Sequence, residues 1–572
     1  VLVLTVFVGR LVQVQVFMGP ALAADAQQKR LQTNVQVAHR GDIVDVNGNV
    51  LATSVDRYTI VGDQLAIQSF RGASRVDKAT GDPVEDGALG VAQLLGPVLD
   101  EEPAALAAKL NGKDRYVVLA RDVVPEVQRA IADLGLQAYV RTDLTSQRTY
   151  PAGEVAGPLV GFVNDDLGGQ GGLERAYDDL LAGTDGTTTF ERGRDGVMIP
   201  NAPVETVPAK PGSDVRLTVD RDVQWKAEEL LDEAVSDTGA KYAMAVVSDV
   251  RTGEVLALAD SGHVDPNDRS TADVANGSRA VKDVFEPGST GKVVTMAAAL
   301  EGGYWKPQSQ FEVPYTYTTP NGQTFKDSHG HPVQRLTLAG VLAHSSNTGT
   351  VQIGEKIPEQ VRYDYLRKFG FGEPSGLGLP GESAGILPDE ESFAHDPRTP
   401  YTILFGQGVA VNAIQATQVF STVANGGVRV EPSLFAGSQA PDGTFTPAPE
   451  PERTRVVSTE TADSLMRMLE SVVGDEGTAE NARVPGYRVA GKTGTAQMWL
   501  PGGGTTYMAS FIGVAPADDP RYTVSVFLRS PQSSIFGGVV AAPVFSDLMG
   551  YTLQKMDVPP STTEPDPYDL EW

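Results

Sequence analysis

The sequence predicts a multidomain α+β chain whose C-terminal half folds as an antiparallel sheet with helices on both faces. Three observations predict it. At 572 residues the chain is too long for one ordinary compact domain. Hydrophobic residues at 41% and charged residues at 21% are a normal globular mixture with enough apolar material for a core. The C-terminal half reads helix, hairpin, long helical insertion, hairpin, helix, a pattern whose apolar faces are buried when helices cover a sheet.

Taken in order, residues 1–8 are almost wholly apolar, and the trend runs to Ala24, broken by Arg10, Gln13 and Gln15. A complete span needs about 20 apolar residues. The stretch therefore reads as the outer end of a transmembrane helix. A buried amphipathic helix and a signal peptide cut near Ala21-Leu22-Ala23 are the rival readings. Residues 43–46 and 50–52 flank Asn47-Gly48-Asn49, a strong hairpin signal. Helices are expected over residues 90–99, 103–110, 124–134 and 173–181. The glycine cluster at 168–172 lacks the preceding strand of a nucleotide fingerprint. Residues 208–212 read as a domain boundary, and Asp220 as the N-cap of the helix that follows. Residues 242–250 and 254–259 form one hairpin, residues 509–515 and 522–528 another, and a helix over 544–556 closes the domain. Residues 557–572, rich in Pro, Thr and acid, are expected to be disordered.

Composition excludes several functions. With 46 basic and 73 acidic side chains the net charge is −27, which argues against nucleic-acid binding. The absence of cysteine removes disulfides, thiolate nucleophiles and Cys-ligated zinc. Of the six histidines only His329 and His331 lie close together, in a polar loop that reads as solvated rather than metal-binding. No cofactor is implied.

Three short motifs carry chemistry. Ser289-Thr290-Gly291-Lys292 follows the turn Pro287-Gly288 and opens an apolar helix. Residues at i and i+3 share a helix face, so Ser289 and Lys292 sit side by side. A serine hydroxyl needs a base within reach, and a desolvated neutral lysine can serve. Alone, the motif is equally an ordinary N-cap serine beside a solvated lysine. Ser345-Ser346-Asn347 follows a helical run, and Lys492-Thr493-Gly494-Thr495 follows a strand-like run. Gly494 fits a strand edge that receives a ligand backbone. Each is weak alone. In this order and these contexts, the three make the triplet of β-lactamases and penicillin-binding proteins.

Nearly the whole chain resembles the class B penicillin-binding proteins. Arg40-Gly41-Asp42-Ile43, Asp45, Asn47-Gly48 and Leu51-Ala52 resemble one motif of that family's non-catalytic pedestal. Arg148, Tyr150-Pro151, Gly153, Gly172-Leu173-Glu174 and Gly193-Arg194 resemble another. Val46 departs from the usual Arg, and Gly291 from a usual bulky residue, which would loosen the first helical turn. Phe369-Gly370-Phe371-Gly372, Pro380-Gly381-Glu382-Ser383, Gly406-Gln407-Gly408 and residues 490–497 are similar to the FtsI-type septal transpeptidases, especially those of high-GC Gram-positive bacteria.

The resemblance implies a penicillin-binding transpeptidase fold after a mixed α/β pedestal. The anchor ends in residues 1–24, the pedestal covers 25–210, the transpeptidase domain 211–556 and the tail 557–572. It implies that Ser289 attacks the penultimate D-Ala carbonyl of a stem peptide with Lys292 as base. Ser345 relays the proton, Asn347 orients Lys292 and the substrate amide, and Lys492 and Thr493 receive the substrate carboxylate. The N–H groups of Ser289 and Thr495 form an oxyanion hole. β-Lactams acylate the same serine. The implied place is the cell membrane, single-pass, with the catalytic domain outside the cytoplasm. Implied partners are peptidoglycan stem peptides, a lipid-II polymerising glycosyltransferase and division proteins, with no nucleic acid. Arg40 and Glu174 are expected to hold the pedestal's shape, pairing with each other or with Arg148, and the pedestal to matter in cells but not for penicillin labelling. A carboxypeptidase or β-lactamase-type hydrolase and a non-catalytic β-lactam sensor or division scaffold are the alternatives.

Overall fold

The computed structural model describes residues 2–18, 30–72, 75–76, 81–191, 193, 199, 204–272, 277–389, 391, 395–499 and 504–572. Leu2–Val12 is an α-helix continued by a π-helical turn, Gln13–Phe17. Leu4, Val6 and Phe7 are exposed on it. No helix among the described residues is long and apolar enough to cross a membrane. Ala21-Leu22-Ala23 and Arg194 lie outside the described residues.

The Asn47-Gly48 turn joins Ile43–Val44 (β1) to Val50–Gly62 (β2), the predicted hairpin. Asp45 closes it from inside: its buried carboxylate accepts the N–H groups of Asn47 at 2.9 Å and Asn49 at 2.7 Å. Strand β2 also pairs with Val117–Val123 (β3) and Val140–Thr149 (β4). The helices Gly87–Leu99, Pro103–Leu110 and Pro125–Asp133 contribute Leu95, Leu106 and Ile131 to a core that includes Ile60 of β2. The helix expected over 173–181 is two short helices, Gly172–Ala176 and Asp178–Leu181.

Asp214–Leu217 (β5) leads to Arg221–Thr238 (α1), capped by the Asp220 carboxylate, which accepts the N–H groups of Asp222 and Val223. Tyr242–Asp249 (β6) and Val255–Asp260 (β7) form the first predicted hairpin. Lys292–Glu301 (α2) follows the turn that bears Ser289. Gln310–Val313 (β8) and Gln334–Thr337 (β9) form a small ribbon that precedes Leu338–Ala343 (α3) and Asn347–Glu355 (α4). Ala413–Ala424 (α5), Phe435–Gln439 (β10) and Thr459–Val473 (α6) lead to three long strands. These are Ala490–Trp499 (β11), Thr505–Ala515 (β12) and Tyr522–Arg529 (β13), and Ala542–Lys555 (α7) follows them.

The five long strands make one antiparallel sheet in the order β7-β6-β13-β12-β11. Alternation along β6 assigns its faces. Ala243, Ala245 and Val247 join a core with α1 and α7, while Met244 and Val246 join the larger core that holds α2, α3 and α5. Helices thus cover both faces, as the sequence predicts.

The chain crosses residues 208–212 without interrupting the second sheet. Strand β5 pairs parallel with β1 and antiparallel with β10, so one sheet runs from β3 through to β10. The Asn47 amide donates to the Asp220 carboxylate at 2.9 Å, tying the pedestal hairpin to the cap of α1. The N-terminal and C-terminal halves therefore share backbone hydrogen bonds. The boundary read at residues 208–212 thus lies within a continuous sheet.

Arg40, Glu174 and Arg148 meet in the pedestal. Arg40 Nε donates to Glu174 Oε2 at 2.8 Å and Arg148 Nε to Oε1 at 2.6 Å, while Arg40 Nη1 reaches Asp178 at 2.7 Å. The side chains of Arg40, Arg148 and Glu174 are 1%, 1% and 0% exposed, so these are not surface charges. Removing one member of a buried pair strands its partner, at about 3–5 kcal/mol. Glu174→Ala is expected to destabilise the chain by that amount in urea unfolding. A loss below about 1 kcal/mol, the exposed-pair range, would contradict this role.

The tail corrects a composition-based expectation. Residues 557–572 are not disordered but lie along the catalytic domain. Ser561 N donates to Gly486 O at 3.0 Å, Arg488 to Thr563 Oγ1 at 2.6 Å, and Thr337 N to Leu570 O at 2.9 Å. Composition measures what a segment can bury on its own. This one is held by groups the folded domain supplies.

Candidate active site

The turn that bears Ser289 is pinned by a distant segment. Phe285 and Val411 exchange two backbone bonds at 3.0 and 2.9 Å, and Gly288 N donates to Gly406 O at 2.9 Å. The Glu286 carboxylate accepts Gly408 N at 2.8 Å. Gly288–Gly291 forms a 3₁₀ turn that passes into α2 at Lys292. The expected α-helical start is thus one turn tighter. Because i and i+3 eclipse in a 3₁₀ turn, Ser289 and Lys292 still share a face. Gly291 is required rather than loosening: a Cβ there would lie 2.9 Å from Gly406 Cα.

Gly494 of β11 also has a steric reason within the fold. A Cβ on it would meet Ser510 Oγ at 2.3 Å, Thr290 Cγ2 at 3.1 Å and Pro287 O at 3.3 Å. That space is taken first by the Ser510 side chain of the paired strand β12 and then by the Pro287–Thr290 turn, which the glycine lets approach β11.

Lys292 and Lys492 are fully buried and converge on Ser345. Lys292 Nζ donates to the Ser345 carbonyl and lies 3.2 Å from its Oγ. Lys492 Nζ lies 3.0 Å from the same Oγ and 3.2 Å from Thr493 Oγ1. Ser345 is held at φ +60°, a sparsely populated backbone region for a residue with a side chain. Burial lowers the Lys292 amine to about 7, with the Asp327 carboxylate acting against that fall. Burial, then the neighbouring Lys292 charge, pushes Lys492 well below the ordinary lysine value. The Ser289 hydroxyl, half-buried, makes no hydrogen bond with any described residue. Such contacts tighten when substrate arrives.

Asn347 departs from the expected arrangement. Its amide donates to Lys326 O at 3.4 Å, with no bond to Lys292. The residue that organises this loop is Asp327, which the motifs did not single out. Its carboxylate accepts Ser346 Oγ at 2.7 Å, Asn347 N at 2.5 Å and Thr348 N at 3.0 Å, and faces His331 Nε2 at 3.0 Å. It therefore caps α4 with a negative charge where the helix favours one. The Asp-Ser-His-Gly-His stretch drew attention only for its histidines. No group of potential metal ligands occurs among the described residues.

The family model for the penicillin-binding protein transpeptidase domain matches residues 243–550, and that for the penicillin-binding protein dimerisation domain matches residues 35–217. The chain is 37% identical to penicillin-binding protein PbpB of Mycolicibacterium smegmatis, over 99% of this chain and 90% of the relative. It is 33% identical to the peptidoglycan D,D-transpeptidase FtsI of Escherichia coli K12, over 98% of this chain and 91% of that one. Penicillin binding protein 3 of Mycobacterium tuberculosis, solved in complex with aztreonam, superposes with a TM-score of 0.71 at 32% identity, covering 94% of this chain and 100% of that one.

Proposed function

This chain belongs to the penicillin-binding protein transpeptidases, and from that premise we propose that it cross-links peptidoglycan stem peptides through an acyl-Ser289 intermediate. The observation that carries the reading is the convergence of two buried lysines of depressed basicity on Ser345, beside the turn that bears Ser289. The neutral Lys292 amine takes the hydroxyl proton as Ser289 Oγ bonds to the penultimate D-Ala carbonyl carbon. The amide C–N bond breaks, and Ser345 relays the proton held by Lys292 to the departing D-Ala amine. Lys492 and Thr493 bind the terminal carboxylate, and the N–H groups of Ser289 and Thr495 hold the oxyanion. Asn347, not bonded to Lys292, is left for the substrate amide. An acceptor amine from a neighbouring strand then attacks the ester, forming the cross-link and freeing Ser289. β-Lactams acylate the same oxygen.

The domain division, with residues 25–210 as pedestal and 211–556 as catalytic domain, belongs to the same proposal. So does a septal role at the outer face of the cell membrane, with a lipid-II polymerising glycosyltransferase and division proteins as partners. The exposed apolar face of Leu2–Val12 supports a membrane tether.

The test supplies the full chain with a D-Ala-D-Ala stem peptide and an amine acceptor. One cross-link per D-alanine released is expected. Release without cross-linking would make the chain a carboxypeptidase, and no release would make it a sensor or scaffold. Asp327→Asn gives a second check. Removing the charge that opposes the fall of the Lys292 amine is expected to move the pH midpoint of penicillin acylation to lower pH. An unmoved midpoint would show that Asp327 acts only as a cap.

A further inference from the structure

The geometry points to residues 566–572 as a positioning strand for Ser345. The inference rests on the role proposed for Ser345 in acyl transfer. Ser345 stands just beyond the end of α3, whose six residues are all buried. Ser345 N donates to Leu342 O and Ser346 N to Val341 O, each at 3.1 Å, so the end of this helix sets where Ser345 lies.

The other end of α3 is met by the tail. The first N–H groups of a helix have no partner within it. Leu338 N donates to Ser309 O at 2.8 Å, Ala339 N to Pro307 O at 3.0 Å, and Gly340 N to the Thr337 hydroxyl at 3.0 Å. Thr337 N donates to Leu570 O at 2.9 Å, and the Thr337 hydroxyl donates to Asp569 O at 2.6 Å. The N-cap residue of α3 is thus held by tail carbonyls through both its backbone and its side chain.

The tail reaches this place as a strand. Glu571 forms an antiparallel bridge with Leu336, adding an edge to the β8–β9 ribbon. Trp572 N donates to Arg335 O at 3.2 Å, and its indole N–H to Phe311 O at 3.3 Å. Arg467 of α6 anchors the approach. Its Nε donates to Asp566 O at 2.8 Å, and its guanidinium lies 4.1 Å from the Tyr568 ring centre. The helix is also shaped for the tail. Gly340 lies inside α3, where glycine costs about 1 kcal/mol against alanine, and its backbone is not in the left-handed region. A Cβ there would fall 2.0 Å from Leu570 O. The glycine makes room for the strand.

A chain ending at Pro565 tests this with a fluorescent penicillin, separating initial binding from the acylation step. Misplacing a reacting group by about 1 Å can cost 10²-fold. We expect the acylation step to slow by about tenfold or more, with initial binding little changed. A synthetic peptide of residues 566–572 added in trans is expected to restore the rate. Gly340→Ala in the full chain is expected to slow the same step, without rescue by the peptide, and it decides the matter if the shortened chain fails to fold. Full-rate acylation by the folded shortened chain, or by Gly340→Ala, overturns the proposal. If the full chain itself is acylated but Ser345→Ala leaves the rate untouched, the role of Ser345 fails instead.

Discussion

Ser289→Ala is expected to abolish covalent labelling by penicillin while leaving the fold in place. The substitution removes one oxygen from a half-buried side chain that makes no hydrogen bond with any described residue. The turn around it is held by backbone bonds from Gly406 and Val411 and by Glu286, none of which involves the Ser289 side chain. The thermal midpoint is therefore expected to stay within the small range of substitutions that break no buried contact. In the proposed reaction, acylation joins Ser289 Oγ to the lactam carbonyl carbon, opens the ring C–N bond and delivers a proton to the nitrogen. Without that oxygen no such adduct forms. Denaturing gels and intact mass report the result, and an adduct surviving in Ser289→Ala would place the nucleophile elsewhere. Ser345→Ala should differ in kind. It keeps the nucleophile and removes the hydroxyl shared by the two lysines, so labelling slows by about 10²–10⁴-fold but still reaches Ser289.

Much of this site was legible in the sequence because each motif falls on an element with its own local signal. Pro287-Gly288 before an apolar run marks the turn that bears Ser289, and the strand-like run before Lys492 together with the hairpin at 509–515 and 522–528 marks the sheet that carries it. Relationships between distant segments were not legible. Asp327 organises the Ser345 loop from 18 residues upstream through a cap bond that no spacing rule encodes. Gly291 looked like a weakness until Gly406 filled its missing Cβ. The boundary at residues 208–212 carries genuine turn residues, yet β5 pairs on both sides of it, because local composition says nothing about strand partners. The tail was misread for the same reason: its partners, Thr337, Arg467 and Gly486, lie far away in the chain.

Lys292 gives the second large effect, and pH is the way to read it. As the proposed base, the amine takes the Ser289 proton only when neutral, and burial brings it to about 7. Acylation is therefore expected to rise with pH through a midpoint near 7, about tenfold per pH unit below it and flat above. Coupling to Lys492 broadens this rise, since a proton on either amine opposes a second on its neighbour. The same shift affects stability with a definite sign. An unfolded lysine titrates near ~10.4, so between about 7 and ~10.4 the unfolded chain binds more protons than the folded one. Stability carried by this group thus rises with pH across that window, and its burial is least favourable below the folded value. Lys292→Ala should lose about 10²–10⁴-fold in acylation and its rise with pH. Lys292→Arg keeps a charge that cannot be shed, so it fails as a base and also leaves a buried cation. The pair of variants separates the two roles open to Lys292. If Lys292→Arg acylates at near the normal rate with its pH rise gone, the lysine acts through its charge, and the proton from Ser289 goes to another group.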